Sequence, residues 1–238
     1  MEFSSPFLLS IYAPKSKFKQ NIFPFNLPVF SKGINIKINT PVTFFVGENG
    51  SGKSTLLEAI AKSCGFSLEG GSKDHYRKIF EKSSSLEEVL KLTWFPKVND
   101  GFFLRAESFY DFTKYIESVS NMESYGGTAF SKLSHGESFL ALFSNRFKQG
   151  IYLLDEPEAA LSPQRQLSFL SIIYNLTAQK KAQFIIATHS PILLAFPNAK
   201  ILDFDNYMQE IDYKDTNHYQ ISKNFLNNPK RYLKHLLS

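Results

Sequence analysis

Residues 47–55 read Gly-Glu-Asn-Gly-Ser-Gly-Lys-Ser-Thr, set between the apolar run 41–46 and a helical pattern at Leu56, Leu57, Ile60 and Ala61. This is G-x-x-x-x-G-K-[ST] in the strand-to-helix setting that gives the pattern its physical meaning. Glycines at 47, 50 and 52 let successive backbone N–H groups turn inward, and the following helix offers its positive end to the same anion. A polyphosphate is therefore expected on Gly47, Glu48, Asn49, Gly50, Ser51, Gly52, Lys53, Ser54 and Thr55. Lys53 would reach the β- and γ-phosphates and the Ser54 hydroxyl a Mg²⁺ ion, so ATP with Mg²⁺ is the expected ligand.

Such a loop needs a buried strand before it, and the chain offers three short apolar runs of that kind, 41–46, 151–154 and 183–188. Each is continuous rather than alternating, as for strands covered on both faces of a parallel sheet. A helical pattern at Leu167, Leu170, Tyr174 and Ala178 follows the second, opened by Ser162 as N-cap and Pro163 at the first helical position. Ser190-Pro191 repeats that start signal after the third. Residues 7–13 and 29–38 read as antiparallel strands, and roughly 70–130 as mostly helical. The expected fold is an α/β P-loop architecture, with a mostly parallel central sheet, an antiparallel β portion and a helical subdomain at about 70–148, all within one domain spanning 1–238.

The run 151–154 leads into Asp155-Glu156-Pro157, which places two carboxylates at the carboxyl end of a buried strand, where open α/β sheets bind ligands. Asp155 would hold Mg²⁺ through its water shell, and Glu156 is placed to act as general base on the water attacking the γ-phosphate. Between this element and the P-loop stands Lys132-Leu133-Ser134-His135-Gly136-Glu137-Ser138, followed by Leu140, Phe143 and Phe147 at helical spacing. Alone it is an N-capped helix start.

In order along the chain stand a P-loop, Leu-Ser-x-Gly-Glu, apolar-Asp-Glu-Pro and Thr188-His189-Ser190. That order resembles the ATP-binding-cassette superfamily, and the strings Phe103-Leu-Arg-Ala-Glu-Ser108 and Asp155-Glu-Pro-Glu-Ala-Ala-Leu-Ser-Pro163, with the departures given below, are similar to short soluble bacterial ATPases grouped with chromosome-maintenance and RecF-type proteins. The resemblance implies that Ser134, His135, Gly136 and Glu137 close over the nucleotide held by a second copy's P-loop, with Ser134 and Gly136 donating to the γ-phosphate. It also implies that His189 contacts that phosphate and holds the base and water in place. An ATP-dependent, head-to-tail homodimer follows from it.

The chain departs from the transporter-type pattern. It has no Gln between Thr55 and Lys148, where those cassettes carry a metal-binding glutamine, and Arg105 or Glu107 are the candidates to stand in. His135 replaces a glycine, and Ala159-Ala160-Leu161-Ser162 replaces the usual Ser-Ala-Leu-Asp. Only 78 residues separate Thr55 from Ser134 (134 − 55 − 1), which leaves no room for a long coiled-coil insertion. Tyr12, Phe18, Phe23, Phe25 and Phe30 are candidates for a platform under adenine.

Composition narrows the partners. No segment reads as a signal peptide or a membrane span, and the single cysteine, Cys64, falls at helical spacing from Leu57, Ile60 and Ala61 and reads as a core residue in a reducing, cytoplasmic setting. The net charge of +5 is concentrated at residues 1–40 and 215–238, a solvated surface or a face for nucleic acid or an acidic partner. The expected function is Mg-ATP hydrolysis that switches or drives a separate effector, without direct membrane insertion. An ATP-dependent nucleic-acid-binding component of repair or defence is the alternative, and a transporter's ATPase subunit a further one.

Overall fold

The computed structural model describes residues 4–19, 21–68, 86–119 and 127–237. Its central sheet has the order β5 (Gly101–Arg105), β6 (Gly150–Asp155), β7 (Ala182–Ala187), β3 (Val42–Val46), β8 (Lys200–Asp203) and β9 (Gln209–Glu210). All neighbours pair in parallel except β8 and β9. The three strands read from continuous apolar runs are thus adjacent and central, and every residue of β3, β6 and β7 is buried. Their side chains alternate between two cores. Phe44, Tyr152, Leu154, Phe184 and Ile186 join one, and Phe45, Ile151, Leu153, Ile185 and Ala187 the other.

A second sheet, in the order β2 (Ile34–Lys37), β1 (Leu8–Ala13), β4 (Lys91–Trp94), is antiparallel. Gln183, fully buried in β7, ties it to the central sheet. Its Oε1 accepts the N–H of Phe7 at 2.9 Å and of Leu8 at 2.8 Å, and its Nε2 donates to the Leu8 carbonyl at 2.9 Å. Every hydrogen-bonding position of that buried amide except one N–H is thereby met, which is the condition for leaving a polar group in a core.

Helix α1 (Lys53–Cys64) follows β3 and covers one face through Leu56, Leu57, Ile60 and Ala61, with Cys64 buried among them. On the other face lie α2 (Phe109–Val119), α3 (His135–Arg146) and α4 (Pro163–Ala178). Phenylalanines bind this layer, among them Phe139, Phe143 and Phe169, with ring centroids 4.5–5.7 Å apart. Short α5 (Pro191–Leu194) follows β7, and α6 (Asn217–Asn227) and α7 (Pro229–Leu236) close the described chain.

Three expectations change. The helical reading of 70–130 holds for α2, but β4 and β5 are strands, and 69–85 and 120–126 lie outside the described residues. The strand expected over 29–38 begins at Ile34, because Pro28 opens a 3-10 turn over Pro28–Phe30 and Gly33 turns the chain at φ 84°. Helix α4 buries Gln166, Phe169, Ile173 and Thr177, leaving Leu167 52% and Tyr174 57% exposed. Its polar and apolar residues are mixed around the axis, so spacing alone selected the wrong stripe.

Candidate nucleotide site

Register brings the site together. Across the sheet Arg105 pairs with Asp155, Asp155 with Ala187, Phe45 with Ala187, and Val46 with Asp203. The ends of β5, β6, β7, β3 and β8 therefore form one edge, from which the P-loop, the Asp-Glu pair and His189 all emerge. Open parallel sheets bind ligands at this edge.

The loop from Gly47 to Gly52 joins β3 to α1. Gly52 sits at φ 102° as N-cap, and a Cβ there would meet Val29 at 3.0 Å. The left-handed conformation favours glycine there, and any side chain would also crowd Val29. Glu48, Asn49 and Gly50 are exposed at the tip, Ser51, Ser54 and Thr55 are half-buried, and Lys53 is buried. The Lys53 ammonium donates to the carbonyls of Gly47 at 2.7 Å and Glu48 at 3.0 Å, curling over the loop. Burial pushes its pKa below the usual lysine value, opposed by the carboxylates of Glu156, Asp205 and Asp155. Asp205, which no spacing in the sequence pointed to, accepts the Glu48 N–H at 2.9 and 3.1 Å.

Ser54 Oγ donates to Asp155 Oδ1 at 3.0 Å. Arg105 Nε donates to Asp155 Oδ2 at 3.2 Å, and its other arm pairs with Glu58, one turn after Ser54 on α1. These groups line a cleft of about 490 Å³ with Glu107 and Glu156. Of the two candidates for the missing glutamine, Arg105 touches Asp155, whereas the Glu107 side chain is 75% exposed at the rim. Burial raises the Asp155 pKa, and Arg105 and Ser54 oppose that shift. A hydroxyl and a carboxylate converging beside a phosphate loop suit Mg²⁺, which takes few protein oxygens and keeps waters and phosphate oxygens. Among the described residues no three His, Cys, Asp or Glu converge as a cage, and such a site needs none.

Glu156 adopts φ 49°, a left-handed turn, while its N–H stays bonded to the Ala187 carbonyl at 2.9 Å. Anchored backbone and turned side chain bring its Oε1 to 3.4 Å from His189 Nε2. The His189 N–H donates to Glu158 Oε1 at 2.5 Å, and the ring Nδ1 lies 2.8 Å from Nε2 of His218. Burial is the main cause that raises the Glu158 pKa and lowers that of His218. Glu158 was visible in the Asp-Glu-Pro-Glu string without a role; His218 carried no signal at all.

Ser134 caps α3. Its N–H and hydroxyl donate to Glu137 Oε2 at 2.8 and 2.6 Å, and Arg165 of α4 donates to its Oγ at 3.0 Å and pairs with Glu137 at 3.1 Å. Ser134, His135 and Glu137 are exposed, whereas Gly136 is buried under Arg165. His135 packs edge-on against Phe109, centroids 5.2 Å apart. Within one chain the Ser134 hydroxyl thus meets Glu137 and Arg165 rather than the P-loop.

Residues 111–195 match the family described as "AAA domain, putative AbiEii toxin, Type IV TA system". No curated protein matches the chain. Among solved structures the chain is similar to one titled "An inward-facing conformation of a putative metal-chelate type ABC transporter", at 18% identity and TM-score 0.51, covering 92% of this chain and 88% of that one. It is also similar to cbiO1 from Clostridium perfringens, part of the ABC transporter complex cbiONQ, at 16% identity and TM-score 0.50, covering 97% and 99%. At such identities the likeness speaks to fold. Sheet order, motif order and these likenesses agree that the chain has the P-loop ATPase fold of the ATP-binding-cassette type.

Proposed function

We propose that the chain binds Mg-ATP on residues 47–55 and hydrolyses it between two head-to-tail copies, using the cycle to switch or drive a separate effector. The observation that carries this reading is the convergence of Lys53, Ser54 with Asp155, and Glu156 with His189 on one sheet edge. Lys53 would meet the phosphates, Glu156 would accept the proton of the attacking water, and His189 would hold that carboxylate in place. Ser54 and Asp155 would hold Mg²⁺, which when bound neutralises charge on the phosphate oxygens. Ser134 and Gly136, exposed and covered respectively, would be supplied by each copy to the other's nucleotide once Arg165 moves aside.

The transporter-subunit reading is opposed by the absence of Gln between Thr55 and Lys148 and by Ala159-Ala160-Leu161-Ser162 in place of Ser-Ala-Leu-Asp. The test is turnover and mass together. Glu156→Gln should keep ATP binding and lose about 10²-fold or more in turnover, and light scattering should find it monomeric or weakly dimeric alone and dimeric with Mg-ATP. Unchanged turnover removes Glu156 from the role. A fully active protein that stays monomeric ends the shared-site reading.

A further inference from the structure

His218 is the second residue of α6, a helix whose N-cap, Thr216, is buried and accepts the Tyr219 N–H at 3.3 Å. Through α5, on which α6 packs, this places an imidazole from the end of the described chain beside the loop that follows β7. Its Nε2 lies 2.8 Å from His189 Nδ1, with ring centroids 4.9 Å apart. Two ring nitrogens at that distance make a hydrogen bond only if one carries the proton and the other a lone pair.

The other side of His189 decides which. Its Nε2 faces the Glu156 carboxylate at 3.4 Å, and an ionised carboxylate only accepts. Nε2 is buried and makes no hydrogen bond among the described residues of the chain, so the nearest group its proton could serve is that carboxylate. The tautomer with its proton on Nε2 leaves Nδ1 as acceptor and makes His218 the donor. The His189 backbone is meanwhile held by Glu158. The ring therefore has its main chain fixed from one side, and its tilt and tautomer set from the other. Burial, with the Lys53 ammonium nearby, disfavours a charged His218, in keeping with a neutral donor.

We propose that His218 is a positioning residue for the reaction, donating from Nε2 to His189 Nδ1 so that His189 presents an N–H to the Glu156 carboxylate. The proposal rests on the ATPase reading for its kinetic consequence, but its tautomer consequence stands apart from it. Losing the orienting partner of a metal-ligating histidine costs on the order of 10–100-fold, and the same control of ring tilt and tautomer applies to His189. The ATP-binding groups are untouched by it.

The full chain with His218→Phe keeps an aromatic ring without a donor, whereas His218→Gln keeps an amide N–H₂ at a comparable reach. Turnover should fall on the order of 10-fold or more in the Phe variant with KM for ATP changed little, and the Gln variant should recover most of it. Equal turnover in the Phe variant and the parent, or recovery by Phe and not by Gln, overturns the proposal. Independently, ¹⁵N-histidine spectra of the unsubstituted chain, assigned with His189→Gln, should find His189 as the Nε2–H tautomer. The same form should be lost or mixed in His218→Phe. His189 found with its proton on Nδ1 overturns the proposal whatever the turnover. A chain without ATPase activity whose His189 is in the Nε2–H form defeats the ATPase reading and leaves the positioning intact.

Discussion

Glu158 shows how the site holds energy at a single residue. Its carboxyl is buried beside the His189 loop, with Oε1 accepting the His189 N–H at 2.5 Å and Oε2 shielded from solvent. An ionised group in that position is costly, and its pKa rises from 4.5. A group with a raised folded pKa contributes stability at pH below its unfolded pKa, and that contribution is lost as pH climbs through the folded value. Glu158→Gln retains an acceptor for the backbone and removes the charge. At pH 8 it should raise the melting temperature by about 2–4 °C, on the order of 1 kcal/mol. The gain should shrink as pH falls from above 4.5 toward it, a trend that melting curves across pH would follow. A gain that is constant with pH would assign it to packing rather than charge.

At the scale of elements, α4 separates two surfaces that the sequence did not. Phe169 and Ile173 are fully buried and face the phenylalanine layer of α3, whereas Leu167 and Tyr174 are more than half exposed. Phe169→Ala should therefore cost about 3–5 kcal/mol and Ile173→Ala about 2–5 kcal/mol, measured by urea unfolding. Leu167→Lys and Tyr174→Lys should change stability within about 0.5 kcal/mol. The reverse ranking would restore the face that spacing first suggested. The elements whose patterns did speak are β3, β6 and β7. They are hydrophobic on both sides because both sides are covered, so continuity alone disclosed their burial. In α4 Gln166 and Thr177 are buried, their side chains bonded to the carbonyls of Leu161 and Ile173. Polarity then no longer marks the outer face.

At the scale of the whole molecule, the proposed sharing of sites between copies has a direct consequence on mixing. Lys53→Ala disables a chain's own phosphate loop, and Ser134→Arg disables what that chain would lend to a partner. In a mixed dimer one composite site carries both lesions and the other carries neither. Two inactive proteins should therefore regain, at a one-to-one ratio, up to about a quarter of the unsubstituted activity, from half the dimers being mixed with one working site each. Activity assayed across mixing ratios, with heterodimers confirmed by mass, decides it. No recovery despite heterodimers would mean that each chain works alone or that both sites must fire together.

What the sequence by itself determined is local: the glycine turn at 47–52, the strand before it, the helix after it, the Asp155-Glu156 pair at a strand end and the Ser134 cap. Each is written in the dihedral and hydrogen-bonding needs of a few consecutive residues. Motif order then sufficed to read the fold. The partners of those motifs were decided only by tertiary structure. Ser54 meets Asp155 across 101 positions, Glu48 meets Asp205 across 157, Ser134 meets Arg165 across 31, and His189 meets His218 across 29. No periodicity links residues that far apart. Parallel register, which sets five strand ends on one edge, and the packing of α4 and α6 against their neighbours bring them within hydrogen-bonding distance, because burial of the apolar faces fixes where the polar ends must meet.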